Sequence, residues 1–419
     1  MNQIDLSILK SAVAGASPAI RARTRLEPAG GPDDKVFPPT YLKSQRVETK
    51  YAFEDRQIGG KTIRTVLLDS VQSQANRMEE ALLQGWGRGE LKFPVVQLDF
   101  STQQGLEDMG VLTALEAPHR IADALLRDSV LGVTQFRDTE IGRAFVDSTF
   151  RDATGVYKYC PTALVFGVWD STGPKGGLGA KFQRCVVSEI IGVDAQAGVK
   201  TASRLDPTGI EKNAGEVFKH KDTAQAWTLD KEEAAVSNKK PVLYGKENKG
   251  TPSAINHGNI PPTIDGEAGG VTIAYAQQTV VITLAGLRRL RFPRSCAGEP
   301  IPSDKRDAAE VAARTALAAL ALAGIVWLRE NDYDLRSRSL LVPKESLAFE
   351  ILSRDGLEPR KLTLDKKGAA DLLKAAEEEA RKFQLGWEPK PVTLTPTKKL
   401  CDLIRKSREL RQEGAVVED

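Results

Sequence analysis

Two nearly continuous apolar runs, Thr162–Trp169 (TALVFGVW) and Arg184–Val193 (RCVVSEIIGV), flank a glycine- and lysine-bearing segment, Asp170–Lys181 (DSTGPKGGLGAK). Runs of strand length without polar alternation belong in the middle of a sheet covered on both faces, so the spacing predicts two central strands joined by a hairpin-like loop. The loop is not a known phosphate motif. A Walker A loop ends in Gly-Lys-Ser/Thr, whereas Gly179 is followed by Ala180, Lys181 and Phe182. The dinucleotide fingerprint fails too, because its glycines follow one strand and open a helix. What remains is a loop with two lysines, Lys175 and Lys181, and enough glycine for backbone amides to approach phosphate closely; the alternative is a plain hairpin tip.

Around this pair the pattern is mixed. Ala19–Glu27 (AIRARTRLE) alternates small or apolar residues with arginine, predicting a strand whose wet face carries Arg21, Arg23 and Arg25. After a Pro/Gly/Asp break, residues 36–53 interleave Lys43, Arg46 and Lys50 with aromatic residues. Val71, Ala75, Met78 and Leu82 share one face of a helix expected over Ser70–Gln84. Its other face holds Gln72, Ser73, Asn76 and Arg77 where Glu and Lys would be usual, which points to hydrogen bonding with a ligand or, more plainly, to a solvated helix start.

Leu91–Phe100 reads as a strand, Pro118–Asp128 and Thr139–Arg151 as helices, and Val271–Phe292 as strand ending in a basic run. A helix is expected over Asp304–Arg329, capped by Ser303, with Ala316–Leu328 as a buried core stretch rather than a membrane span. Leu340–Ser353 reads as strand, and Asp365–Glu413 as two charged helices split near Pro389–Pro396. Between 195 and 270 the composition turns polar and Gly/Pro-containing, which marks a functional insertion rather than a connecting loop. The fold class is therefore α+β, compatible with an RRM or ferredoxin-like sheet carrying insertions. Its expected parts are a palm of 19–194 and 271–353, an insertion of 195–270 and a helical C-terminal region of 354–419.

The net charge of +3 gives no global field, so a nucleic-acid contact must use local clusters of Arg and Lys. Cys160, Cys185, Cys296 and Cys401 form no CxxC pair, and His119, His220 and His257 read as surface residues, so neither a zinc knuckle, a disulfide framework nor histidine catalysis is suggested. No metal site, cofactor or catalytic residue is expected. Asp33-Asp34 is the one tempting carboxylate pair, and Pro32-Asp-Asp also makes a natural turn. The first twenty residues lack a secretory pattern, so the expected location is the cytoplasm, with no membrane partner.

The runs LLDSVQSQANRMEEAL (Leu67–Leu82), VLGVTQFRDTEIGRAF (Val130–Phe145) and Cys160–Asp194, with its VWDSTGPKGG core, resemble the Cascade backbone subunit of subtype I-U (I-G) CRISPR systems. That family belongs to the RAMP superfamily and the seventh numbered Cas group. The resemblance covers Ala19–Pro293. It implies an RRM-like palm with an inserted thumb, and copies that polymerise along CRISPR RNA and hold the guide for pairing with target DNA. It also implies other Cascade subunits as partners, namely a large subunit and a guide-end-capping and processing subunit. RNA would be gripped through backbone and shape. The contacts expected are Arg46, Lys50, Arg77, Lys175 and Lys181 to phosphate, and Gln72, Ser73 and Asn76 to 2′-hydroxyls or backbone oxygens. The resemblance implies a non-enzyme. The alternatives are an RNA-cleaving backbone-type endoribonuclease, as in type III systems, with Asp33-Asp34 in the corresponding loop, and a guide-processing endoribonuclease, which the sparse histidines disfavour.

Overall fold

A computed structural model describes residues 2–15, 17–42, 48–171, 173, 180–245 and 249–415. The chain divides into two compact units, one of residues 1–197 with 270–397 and one of 198–269 with 398–419.

The larger unit is built on a nine-stranded antiparallel sheet. Its strands are β1 (Ala19–Pro28), β2 (Phe53–Ile58), β3 (Lys61–Asp69), β4 (Val186–Val193) and β5 (Tyr275–Thr283). They continue with β6 (Tyr333–Asp334), β7 (Leu340–Pro343), β8 (Phe349–Ile351) and β9 (Arg360–Leu362). The order is β2-β3-β4-β5-β1-β7-β6, with β8 pairing with β1 and β9. The alternation read from β1 holds: Ile20, Ala22, Thr24 and Leu26 are buried, while Arg23 and Arg25 stand exposed on the opposite face with Arg21 half-buried beside them.

Four main helices belong to this unit: α1 (Leu6–Ala14), α2 (Val71–Gly87), α3 (Ser303–Glu330) and α4 (Lys366–Arg381). Helix α2 lies against β4, and α3 packs on α1, α2 and α4. Nearly every residue of α3 from Ala309 to Leu328 is buried. Its alanines let neighbours approach closely, and although length and composition would allow it to cross a membrane, 94% of its most apolar stretch is covered by protein. Pro302, not Ser303, precedes its first turn, and no side chain caps it. At the α2–α3 contact, a Cβ added to Gly85 would collide with the Trp327 indole and with Leu91. Gly85→Ala is expected to lower stability by about 1–3 kcal/mol through overpacking, despite the better helix propensity of alanine, as urea unfolding would show. Unchanged stability would mean the indole has room to move.

Several expectations are corrected. Thr162–Trp169 is not a central strand: Pro161–Phe166 is a short helix, started by Pro161 and ended by Gly167 at φ +85°, packed on α3 and β4. Continuous burial looks alike in a buried helix and a buried strand, which is why the run misleads. Only Val168–Trp169 is extended, pairing with Lys181–Phe182 as the two ends of a hairpin. Pro118–Asp128 forms a 3-10 turn at Arg120–Ala122 and one helical turn at Ala124–Arg127, and the next helix is confined to Glu140–Val146. The gap near Pro389–Pro396 is a strand, Val392–Pro396, at the centre of a separate five-stranded sheet with Val96–Asp99, Val111–Thr113, Ser129–Leu131 and Thr134–Gln135. Its alternation of Val392, Leu394 and Pro396 with threonines is the signal that the prolines hide.

The smaller unit contains a ribbon of Lys200–Arg204 paired with Ile260–Asp265, and helix α5 (Lys398–Ala415). Arg204 donates to the carbonyls of His257 and Gly258. Asp206 accepts from Thr208 and from the Gly258 amide, which holds its carboxyl down at about 2. His220, expected at the surface, is buried; its Nδ1 accepts from the Asp222 amide at 2.9 Å.

Candidate nucleic-acid interface

Ser70 caps α2, its hydroxyl accepting from the Ser73 amide at 3.3 Å. Extended backbone at Ser70 turns the helix start outward, so Gln72 and Asn76, one turn apart, are exposed and Ser73 and Arg77 half-exposed. Directly before the cap, Asp69 is fully buried: its Oδ2 accepts from Gln74 Nε2 at 2.6 Å and Arg77 Nε at 3.0 Å, while its Oδ1 forms no hydrogen bond and faces an Arg336 guanidinium nitrogen as an ion pair at 3.5 Å. Arg77 also donates to the carbonyls of Asp334 and Leu335, and Arg336 to that of Leu68. Burial, the largest influence, lowers the Arg336 pKa below its usual value; Asp69 opposes this and Arg77 adds to it. Two cations thus share one carboxylate at a helix N-terminus, leaving an excess positive charge where the helix dipole is also positive.

Three of Arg77's five donors are engaged, so it holds the site together first and has two donors to spare. Asp69 and Arg336 were missed in the sequence; Arg336 lies far along the chain with no local pattern around it. Gln74, on the buried side of α2, carries the network inward, accepting from Ser188 at 2.8 Å and Gln278 at 2.9 Å, while Tyr333 donates to Gln278 at 2.8 Å.

The loop after β1 reaches the same region. Phe37 is bonded to Ser339 through both its amide and its carbonyl, and the Arg338 guanidinium sits 3.9 Å from the Phe37 ring centroid. Further along, the Tyr41 amide donates to the Lys50 carbonyl at 2.8 Å, and the Lys50 side chain is exposed. Arg46 lies outside the described residues. Asp33 and Asp34 are exposed in a turn: Asp33 has φ +68°, and Asp34 accepts from the Lys35 amide at 2.8 Å.

At the hairpin, exposed Lys181 lies 4.7 Å from the ring centroid of half-exposed Trp169. Neighbouring Asp170 is buried and bound by Arg137 at 3.0 Å. Lys175 lies outside the described residues. No bond or ring contact among the described residues joins Lys181 to the start of α2, so the expected contacts fall into two groups. The open face of the sheet is a third polar surface, where Arg25 covers the Tyr275 ring at 4.3 Å and Arg21 pairs with Glu350 at 2.6 Å.

Elsewhere, a cleft of about 540 Å³ is lined by Glu140, Asp147, Asp152, Lys158, Arg294 and Cys296 among others. Its charges pair internally, Lys158 with Glu140 at 3.2 Å and Arg294 with Asp152 at 3.3 Å. Burial pushes the Cys296 thiol up to about 12, so it is a neutral thiol. Among the described residues no group of three His, Cys, Asp or Glu could hold a metal ion.

Residues 20–197 match the model of a family described as CRISPR-associated protein GSU0053. No curated protein matches the chain.

Proposed function

We propose that this chain, a CRISPR-associated protein by its match over residues 20–197, is a non-catalytic RNA-binding backbone subunit of a type I-U Cascade complex. Copies would line up along CRISPR RNA, contact the other Cascade subunits in the cytoplasm, and hold the guide open for target DNA. The observation that carries this reading is the excess positive charge of Arg77 and Arg336 over buried Asp69, set at the α2 N-terminus beside exposed Gln72 and Asn76. Such a site suits phosphate and ribose without reading base edges. The spatial order β8-β1-β5-β4, with α2 between β1 and β4 in the chain and α3 between β5 and β8, supports an RRM or ferredoxin-like RAMP palm. The unit holding 198–269 is then the thumb. The exposed turn geometry of Asp33 and Asp34, which belong to no group of three possible metal ligands among the described residues, does not favour the cleaving alternative.

The test is RNA binding against salt. Lys50→Ala and Lys181→Ala are each expected to weaken binding equally for unrelated sequences and reduce the salt slope by about 0.7. Gln72→Ala and Asn76→Ala should weaken RNA binding with little change of slope and narrow the preference for RNA over DNA. Purified protein that neither carries nor binds RNA would overturn the proposal.

A further inference from the structure

We infer that the indole of Trp169 is a stacking platform for one nucleobase of single-stranded RNA, with Lys181 and Arg289 meeting the flanking phosphates. This rests on the RNA-binding reading and adds to it a contact with bases, which phosphate-directed cations alone would not make. Trp169 is 50% exposed, in contrast to Trp327 and Trp387, which lie in the core of the same unit at 1% and 4%. An indole left in water on a held strand offers a large flat surface on which another ring can stack.

The ring is held rather than loose. Trp169 pairs across the hairpin with Lys181, while the inward residues Val168 and Phe182 are buried and Phe182 packs edge-on against Phe150 with centroids 5.3 Å apart. On one side of Trp169, Asp170 is bound to Arg137, and on the other the Gly167 carbonyl accepts from Arg120 at 3.1 Å. Both flanks are therefore held by side-chain bonds, which fixes the backbone that carries the indole.

The surroundings select the occupant. Lys181 rests over the ring, Gln183 follows just past the end of the strand, and Arg289 donates to Gln183 at 3.3 Å. All three are exposed, and among the described residues no ion pair involves Lys181 or Arg289. An aromatic face with one cation resting on it and a second bonded to the nearby Gln183, neither with a carboxylate partner, is complementary to a base and its adjoining phosphates. On binding, Lys181 would leave the ring face for a phosphate, and the base would take its place.

The test compares the full chain with Trp169→Phe and Trp169→Ala in binding a 30-nucleotide oligo(A) and an abasic oligomer of equal length and charge. Alanine is expected to weaken oligo(A) binding roughly 5- to 100-fold, with phenylalanine close to the parent and abasic binding equal for all three. The salt slope should not move, since no charge is removed. Unchanged oligo(A) affinity in Trp169→Ala, or an equal loss on the abasic oligomer, would overturn the stacking role while leaving RNA binding intact. A fall in protomer association without RNA, with oligo(A) affinity unchanged, would assign the ring to a protein contact and overturn it too. Failure of the parent chain to bind either oligomer is a failure of the RNA-binding reading itself.

Discussion

Replacing Arg120 by Met is expected to cost about 3–5 kcal/mol of stability, although Arg120 is itself none of the proposed RNA contacts. Arg120 forms a two-pronged pair with Glu79 of α2, both contacts at 2.6 Å, and donates a third bond to the Gly167 carbonyl. The two side chains are 9% and 1% exposed. Methionine fills similar volume but leaves a buried carboxylate without its counter-ion. Burial, the largest influence, already raises the Glu79 pKa from its ordinary 4.5 to about 7, against the pull of Arg120. A group whose pKa rises on folding binds a proton more tightly when folded, so its contribution is complete below 4.5 and is lost as pH climbs through 7. Without Arg120 the pKa rises further, so the loss should be larger at pH 8.5 than at pH 5.5. Urea unfolding at the two pH values measures this. A loss under about 1 kcal/mol at both would show that water reaches Glu79, and the double replacement Glu79→Leu, Arg120→Met should recover most of the stability if the pair is dry.

That pair also marks where sequence reading stops. The apolar stripe of α2 is visible from Ala75, Met78 and Leu82, because local spacing decides which face turns inward. Gln74 and Glu79 are buried on the same helix, yet nothing local says so. Their partners are Ser188, Gln278 and Arg120, and the Gln74–Gln278 bond spans 204 positions of the chain. Polar burial is decided by such distant partners, whereas apolar burial is written in periodicity. The same contrast separates β1, whose alternating arginines reveal its open face, from Pro161–Phe166, where uniform burial erases any period. At the candidate site, Lys50, Gln72, Asn76 and Lys181 were accessible to composition and spacing, and the structure leaves all four exposed. Asp69 and Arg336 were not, because a shared carboxylate becomes visible only once the sheet brings 69 and 336 together.

Asp69→Asn is expected to move stability and RNA binding in opposite directions, which a purely structural role would not do. Asp69 accepts from Gln74 and Arg77 and pairs with Arg336, and neutralising it leaves two guanidiniums 25% and 28% exposed without their common counter-ion. Because both arginines keep some water, the loss should fall near the lower end of the range for a broken buried pair, at about 3 kcal/mol. For RNA the consequence is reversed. Net charge at the start of α2 rises by one, and a phosphate about 7 Å away would gain on the order of 0.5–1.5 kcal/mol, or roughly two- to tenfold in affinity at low salt. The gain should shrink as salt is added, so the variant's salt slope is steeper than the parent's. Saturating RNA should then restore more thermal stability to the variant than to the parent, since a ligand bound more tightly by the folded state stabilises it more. Binding by fluorescence anisotropy at 50 and 200 mM salt, with thermal melting with and without RNA, supplies both readouts. If affinity instead falls in step with stability, the two arginines serve only to pin the 334–339 segment onto α2, and the RNA path does not cross this helix start.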